Sequence, residues 1–247
     1  MFMLHLYKAN IRRLLGNIYF IGGCLIALIV TYLFSAKIFT ISFMNGMESA
    51  GRMYFVSAAM VVFFTIIVPV FNNMEYGDGT IRNKVIAGYS QTQIYTSLLL
   101  SYLTMAAVMW VCYLLAGIAG GAKLNGAAIV SNLVILLAVA NYIATVMTLS
   151  FRIKNLIAAV IAAMMLMNFC FNSVLFGNVL LTFTKGTTQK IMSFVYNISA
   201  FGQWFSRTGF ADDIANPGAP AQILISCVIV VGLTLLGVAG IDKRDLA

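Results

Sequence analysis

The sequence predicts an all-α membrane protein with six transmembrane helices. A short cytoplasmic helix is predicted between spans two and three, and an extracytoplasmic interfacial helix between spans five and six. Hydrophobic residues make up 62% of the 247 residues and charged residues only 9%, whereas a soluble domain usually carries about a quarter charged residues. The apolar residues form six runs, each close to the length of about 20 residues that crosses the hydrocarbon. We therefore expect one membrane domain over residues 1–247.

The predicted elements follow the chain in order. Residues 1–17 form an amphipathic cytoplasmic segment, since apolar side chains recur there at helical spacing; the alternative is a frayed basic leader. The spans are predicted at residues 18–39, 53–71, 92–119, 127–151, 156–176 and 221–241. A short outer loop containing Arg52 joins the first two spans. Residues 72–91 form a cytoplasmic loop and residues 177–220 an extracytoplasmic segment.

The charge distribution predicts the orientation. Six spans place both termini on one side, and the short loops on that side carry Arg82, Lys84, Arg152 and Lys154. Cations in short loops mark the cytoplasmic side of a membrane. We therefore expect both termini and residues 72–91 to be cytoplasmic. The same rule accounts for the net charge of +8, and no basic stripe or stacking platform predicts a nucleic-acid partner.

Several chemistries are disfavoured by missing motifs. The sequence has no G-x-x-x-x-G-K-[ST] loop, no H-E-x-x-H and no G-x-S-x-G. No acidic or basic residue falls in the middle of a predicted span, where ion-coupled carriers generally place such groups. Cys24, Cys112, Cys170 and Cys227 lie far apart in apolar runs and predict neither a disulfide framework nor a metal site. His5 is the only histidine. We expect no catalytic residue, no metal ligand and no cofactor bound by this chain.

The loop at residues 72–91 carries helix signals at both ends. Asp78 can accept hydrogen bonds from the first free amides of a helix, and Gly88 suits a left-handed C-terminal cap. These signals predict a helix from about Gly79 to Ala87. Ser90 and Gln93 form an S-x-x-Q capping box that starts the third span. The alternative is an ordinary loop with a single helical turn.

The same loop resembles a known family. The run Glu75-Tyr76-Gly77-Asp78-Gly79-Thr80-Ile81-Arg82-Asn83-Lys84, followed by Gly88-Tyr89-Ser90 and Ile94-Tyr95, is similar to the intracellular loop of type-2 ABC transporter permeases. In that family an acidic residue precedes a Gly-Thr-hydrophobic-Arg/Lys run, and a Gly-x-Ser-Arg element leads into the third span. Two departures stand out. Gln91 replaces a basic residue that is common in the family, and no lysine follows Tyr95 within a turn.

The resemblance implies that the loop is a coupling helix. Such a helix sits in a groove on a separately encoded ABC ATPase subunit, present in two copies, and ATP and Mg are bound by that partner. The implied ATPase-coupling residues are Glu75, Asp78, Gly79, Thr80, Ile81, Arg82, Lys84, Val85 and Gly88. Ile81 and Val85 would be apolar anchors in the groove. Arg82 and Lys84 would meet acidic residues on its rim, and Glu75 would pair with a nearby basic group or position the loop.

The implied function is that of a permease subunit of an ATP-driven exporter in the bacterial plasma membrane. It would form a translocation path as a dimer, with a second copy or a paralogue. The path lacks predicted charges, so an amphipathic cargo such as a peptide antibiotic, a drug or a lipid is expected. The alternatives are a non-transport assembly or sensor subunit and an ATP-independent carrier.

Two further sets of residues are candidates for the path. Phe194, Ile198 and Phe201 recur at helical spacing in the extracytoplasmic segment, with Trp204 and Phe205 beyond. They predict a helix that lies in the outer interface or dips into it, and they could form an outer gate or simply pack on the span ends. Asn168 and Asn172 lie one helical turn apart and could line the path or hydrogen-bond between helices.

Overall fold

The computed structural model describes residues 2–208, 213–239 and 241, and these residues form helices and turns without strands. The helices are α1 (Phe2–Leu15), α2 (Ile18–Ser35), α3 (Ser49–Val56), α4 (Ala58–Gly77), α5 (Thr80–Ile86), α6 (Gln91–Ala119), α7 (Gly126–Ser150), α8 (Leu156–Phe183), α9 (Gly186–Ile198), α10 (Ala200–Thr208) and α11 (Ala219–Val238). Two 3-10 turns occupy Ser42–Met44 and Asp213–Ala215. The predicted all-α class is confirmed.

Six segments of the described chain are long and apolar enough to cross a membrane. They are α2, α3 together with α4, α6, α7, α8 and α11. This confirms the six predicted spans and is typical of a multi-pass membrane protein. We call the end of the bundle that carries α5 the α5 end. The opposite end, where α3 contacts α10, is called the α10 end. The C-terminal residues 242–247, for which a side of the membrane was predicted, lie outside the described residues.

The second and fifth spans differ from their predicted bounds. The second begins at Ser49, breaks at Ser57 and continues through Pro69 to Gly77. At the break the Ser57 hydroxyl donates to the Tyr54 carbonyl at 2.5 Å, a local bond that competes with the helical ladder. The fifth span continues to Phe183 instead of ending at residue 176, because the residues that follow remain mostly apolar.

Polar pairs inside the bundle join α4, α6 and α7. Thr65 of α4 hydrogen-bonds the Tyr142 hydroxyl of α7 at 2.9 Å. Asn72 of α4 accepts from the Tyr102 hydroxyl of α6 at 2.8 Å and donates to the Ser150 hydroxyl of α7 at 2.7 Å. In hydrocarbon such groups have no water to bond, so each pair fixes the position of one helix against the next. These helices form the core of the bundle.

α1 packs along α6 through a buried stripe. Leu6, Asn10 and Leu14 are buried at successive turns, and the Tyr7 hydroxyl hydrogen-bonds Thr104 of α6 at 2.8 Å. Residues 2–15 therefore form a helix with one buried face, outside which Leu4 is exposed. The cytoplasmic position of this helix stays a prediction.

α9 and α10, which we call the re-entrant pair, meet at a break that lies inside the helix bundle. Two helices with a break at Ser199 stand where one was predicted. The Ile198 carbonyl at this break accepts from the Asn141 side chain at 3.1 Å, and Asn141 lies past the middle of α7. The ring of Phe201 lies 6.2 Å from that of Tyr142, also on α7. The break therefore reaches deep into the bundle instead of resting at its end.

Buried amides satisfy the backbone at this break. The Gln203 side chain donates to the Asn197 carbonyl at 2.8 Å and accepts from the Ser226 hydroxyl of α11 at 2.9 Å. The Asn197 side chain accepts from Gln222 of α11 at 2.7 Å. Irregular backbone is tolerated at membrane depth only where protein groups satisfy it. These side chains therefore make the re-entrant pair possible.

Replacing Gln203 with Leu is expected to lower the free energy of unfolding by about 2 kcal/mol. The change leaves the Asn197 carbonyl and the Ser226 hydroxyl buried without this partner. Each buried polar group left without a hydrogen bond lowers the stability by about 1–3 kcal/mol. Thermal unfolding of the purified chain in detergent measures the loss. The matched control is Gln189→Leu, since Gln189 of α9 makes only one longer bond, of 3.4 Å to the Leu181 carbonyl of α8. Equal unfolding temperatures for the two variants would contradict the assignment.

Candidate functional site

The short helix α5 has a different start from the one predicted. It spans seven residues, and its N-cap is Gly79, which has a left-handed backbone (φ 64°) and makes no side-chain cap bond. Asp78 is exposed and its amide ends α4 by donating to the Met74 carbonyl at 2.9 Å. The prediction that Asp78 caps this helix is therefore wrong. The left-handed turn at Gly79 separates Asp78 from the amides of α5, and Thr80 is the first residue of the helix.

The end of α5 follows the predicted signals. Gly88 has a φ of 90°, which a residue with a Cβ rarely adopts. Its amide donates to the Val85 carbonyl at 2.9 Å, and the Tyr89 amide donates to the Lys84 carbonyl at 3.1 Å. These two bonds make a Schellman motif. The capping box of Ser90 and Gln93 is also confirmed, with both reciprocal bonds present.

The faces of α5 are not those that the sequence predicted. Ile81 is 1% exposed and belongs to the core, and Val85 packs partly buried against the same core. Ile81 is therefore not accessible to a partner, whereas Val85 remains partly accessible. The exposed face carries Arg82, Asn83 and Ile86, of which Ile86 is 75% exposed. A seven-residue helix contains too few turns for its sequence to show which apolar side chain faces the core.

A charge cluster at the α5 end joins four helices. Glu75, at the end of α4, is 0% exposed. Its carboxylate forms one ion pair with Arg13 of α1 and another with Lys84 of α5, the latter at 2.6 Å between Nζ and Oε2. Lys84 also donates to the Asn10 side chain of α1 at 3.0 Å, and Asn10 donates to the Ser97 hydroxyl of α6 at 3.1 Å. We call these five residues the Glu75 cluster.

The environment of Lys84 is unusual for a lysine. Burial lowers the pKa of its ammonium group to about 8, and the positive charge of Arg13 acts in the same direction. The Glu75 carboxylate opposes both effects by favouring the charged form. Lys84 is thus held inside the chain, contrary to the prediction that it meets acidic residues of a partner. Of the two predicted rim cations, only Arg82 is exposed.

Comparison with known proteins adds no family. No protein-family model, no curated protein and no solved structure matches this chain.

The two candidate asparagines lie on the exposed side of α8. The Asn172 side chain donates to the Asn168 side-chain oxygen at 2.7 Å and to the Asn168 carbonyl at 2.8 Å. Both side chains are exposed, and around them lie the exposed apolar residues Met165, Phe169 and Phe176. The alternative that they bond to another helix of this chain is not seen among the described residues. A polar pair is thus presented outward from the middle of a span.

An aromatic cavity of about 440 Å³ lies beside this pair. Its lining residues come from α3, α4, α8 and α10 and comprise Phe55, Ala58, Val62, Met167, Asn168, Phe171, Phe201, Trp204 and Phe205. The sequence singled out Phe201, Trp204, Phe205 and Asn168 but missed Phe55 and Phe171. No local pattern could have found these two, because they meet the other rings only when separate helices pack.

The four predicted gate residues are not brought together. Phe201 and Trp204 are buried and line the aromatic cavity, and the Trp204 indole donates to the Tyr54 carbonyl of α3 at 2.8 Å. Phe194 and Ile198 are exposed on α9 and do not line the cavity. Phe201 and Trp204 therefore form part of the cavity wall, whereas Phe194 and Ile198 do not.

Proposed function

We propose that this chain is the membrane-spanning permease subunit of an ATP-driven ABC exporter, paired with a second copy and coupled to two separate ATPase subunits. The observation that carries the proposal is the rigid attachment of α5. This helix is tied to α4 and α1 by the Glu75 cluster and closed by a Schellman motif. ATP and Mg²⁺ would be bound by the partner, since the sequence has no phosphate-binding loop.

The attachment of α5 suits the transmission of motion. A force applied to the exposed face at Arg82 and Ile86 acts on a short helix that is held to α4 by a buried ion pair. Such an element moves as a rigid body instead of deforming locally. α4 crosses the whole bundle, and Val62 in its other half lines the aromatic cavity. Movement of α5 would therefore reach the cavity through a single helix.

The exposed asparagines support pairing through α8. A polar side chain that faces lipid in the middle of a span is unfavourable, and such residues usually face another protein surface or water. Asn168 and Asn172 would be relieved of that cost by a second copy or by a path between copies. Val62 also lines a second cavity of about 500 Å³ between α2 and α4. The face formed by α2, α4 and α8 is thus the proposed position of the path.

The charge distribution predicts that α5 is cytoplasmic, which suits a soluble partner on that side. Arg82 and Asn83 form a polar rim around the exposed Ile86. Exposed cations at a rim mainly set orientation and association rate, whereas a central apolar side chain contributes more to affinity. We therefore assign Ile86, and not Ile81 or Val85, as the anchor that enters the ATPase groove.

Replacing Ile86 with Asp is expected to weaken association with the ATPase subunit about tenfold or more, as loss of an anchor at an interface commonly does. The measurement is co-purification with any P-loop ATPase that a neighbouring gene is found to encode, together with stimulation of its ATPase activity. Arg12→Asp is the matched control, because Arg12 is an exposed residue at the same end but lies on α1. Undiminished association of the Ile86 variant would contradict the anchor. Absence of any ATPase partner would favour an assembly subunit or a carrier.

A further inference from the structure

The aromatic cavity has the dimensions of a small-molecule site. Its volume of about 440 Å³ falls within the roughly 300–1,000 Å³ that such sites occupy. Apolar pockets with a few converging polar groups are the usual form of a ligand site. The cavity follows this form, with Asn168 as its amide-bearing wall residue.

The cavity walls are rich in aromatic rings that contact one another. Trp204 and Phe205 have ring centroids 4.9 Å apart, nearly perpendicular. Phe171 lies edge-on to Phe201 with centroids 5.6 Å apart, and Phe55 lies 5.7 Å from Trp204. Aromatic rings prefer edge-to-face or offset arrangements with further rings. A wall of five such rings therefore favours a ligand that is itself aromatic over a flexible acyl chain.

The polar chemistry of the cavity limits the ligand further. The Asn168 side-chain oxygen is occupied by the Asn172 amide, whereas the Asn168 Nδ2 donates no hydrogen bond within the described part of the chain. That group offers a donor, so a matching ligand carries an acceptor. All nine lining residues are uncharged, and nothing among them would neutralise a charged ligand in a low-dielectric site.

We propose that the aromatic cavity binds an uncharged, planar aromatic molecule with one hydrogen-bond acceptor, held between Phe201, Trp204 and Phe171 and bonded by Asn168. This inference names a class of cargo for the proposed exporter. Only the transport of that cargo rests on the proposed function. Binding itself is a property of this chain and can be measured without an ATPase.

The two tryptophans of the chain, Trp110 and Trp204, allow a direct test. The Trp110→Phe variant keeps Trp204 as the reporter in the cavity, and the Trp204→Phe variant keeps Trp110 on α6 as the reporter of unspecific partitioning. The chain is reconstituted in nanodiscs and titrated with fluorenone, a planar aromatic ketone. Fluorene, which has the same rings without the acceptor, is the comparison probe. We expect saturable quenching of Trp204 by fluorenone and only weak, linear quenching of Trp110.

Two substitutions then separate the hydrogen bond from the rings. In the Trp110→Phe background, Asn168→Leu is expected to weaken fluorenone binding about tenfold, the equivalent of one hydrogen bond, and to leave fluorene unchanged. Phe171→Leu is expected to weaken both probes. Phe176→Leu is the matched control, because Phe176 is an exposed phenylalanine on the same helix that does not line the cavity, and it should leave both titrations unchanged.

Several results would overturn the inference. Equal quenching of the two tryptophans would show partitioning into lipid only. Equal affinity for fluorenone and fluorene would remove the role of Asn168, and occupation by lipid chains would appear as no saturable binding of either probe. These outcomes are independent of the ATPase. A chain that binds fluorenone but no ATPase would contradict the exporter and leave the cavity assignment standing.

Discussion

Replacing Glu75 with Gln is expected to lower the free energy of unfolding by about 3–5 kcal/mol, the usual cost of removing one partner from a buried ion pair. Arg13 is 47% exposed at its side chain and can return to water, whereas Lys84 is 14% exposed and stays buried beside a neutral amide. Thermal unfolding in detergent, monitored by circular dichroism, measures this loss. In the exporter proposed here, the same variant should also uncouple ATP hydrolysis from transport.

The double variant Glu75→Gln with Lys84→Met tests the cause. Removing the stranded cation should recover about half of the lost stability, because contacting residues show strong non-additivity. Asp78→Asn is the matched control, since Asp78 is exposed and surface changes usually stay within about 0.5 kcal/mol. Additive losses in the double variant would mean that the ion pair is not what Glu75 contributes.

Replacing Arg52 with Met is expected to cost about 4 kcal/mol. Arg52 was predicted in an outer loop, but it lies in α3 and its side chain is fully buried. Its guanidinium donates to the Phe34 carbonyl at 2.7 Å, to the Ser35 carbonyl at 2.9 Å and to the Met47 carbonyl. Each buried carbonyl left without a donor costs about 1–3 kcal/mol, and a cation at the end of α2 also favours its dipole.

Two comparisons test the role of Arg52. Arg52→Lys should recover only part of the stability, because an ammonium group cannot reproduce the planar fork of a guanidinium. Lys123→Met is the matched control, as Lys123 is an exposed cation at the same end of the bundle. The measurement is again thermal unfolding in detergent. If Arg52→Met unfolds at the wild-type temperature, Arg52 does not stabilise the end of α2.

Local signals in the sequence predicted the end of α5 and the start of α6 but not the start of α5, where Gly79 and not Asp78 is the N-cap. The glycine at position 88 and the Ser90–Gln93 box specify a turn and a helix start within a few residues, and both are present. The six spans follow from apolar length alone. Glu75 was expected to pair with a basic group, but its partners could not be named, because Arg13 lies on another helix.

Long-range packing accounts for what the sequence did not predict. The orientation of α5 depends on where α4 and α6 leave room for Ile81, and the aromatic cavity depends on the meeting of four helices. The depth of the break at Ser199 depends on the hydrogen bond from Asn141 to Ile198, two residues that lie 57 positions apart in the sequence. None of these relations leaves a repeating pattern along the chain.

The re-entrant pair constrains the order of assembly. α9 and α10 contain 13 and 9 residues, each too short to insert as a spanning helix of about 20 residues. The bonds that hold their break come from α7, which is synthesised earlier, and from α11, which is synthesised later. The pair therefore cannot complete its hydrogen bonds until the last span has inserted. A chain shortened before α11 would therefore leave the Asn197 and Gln203 side chains without their partners on that helix.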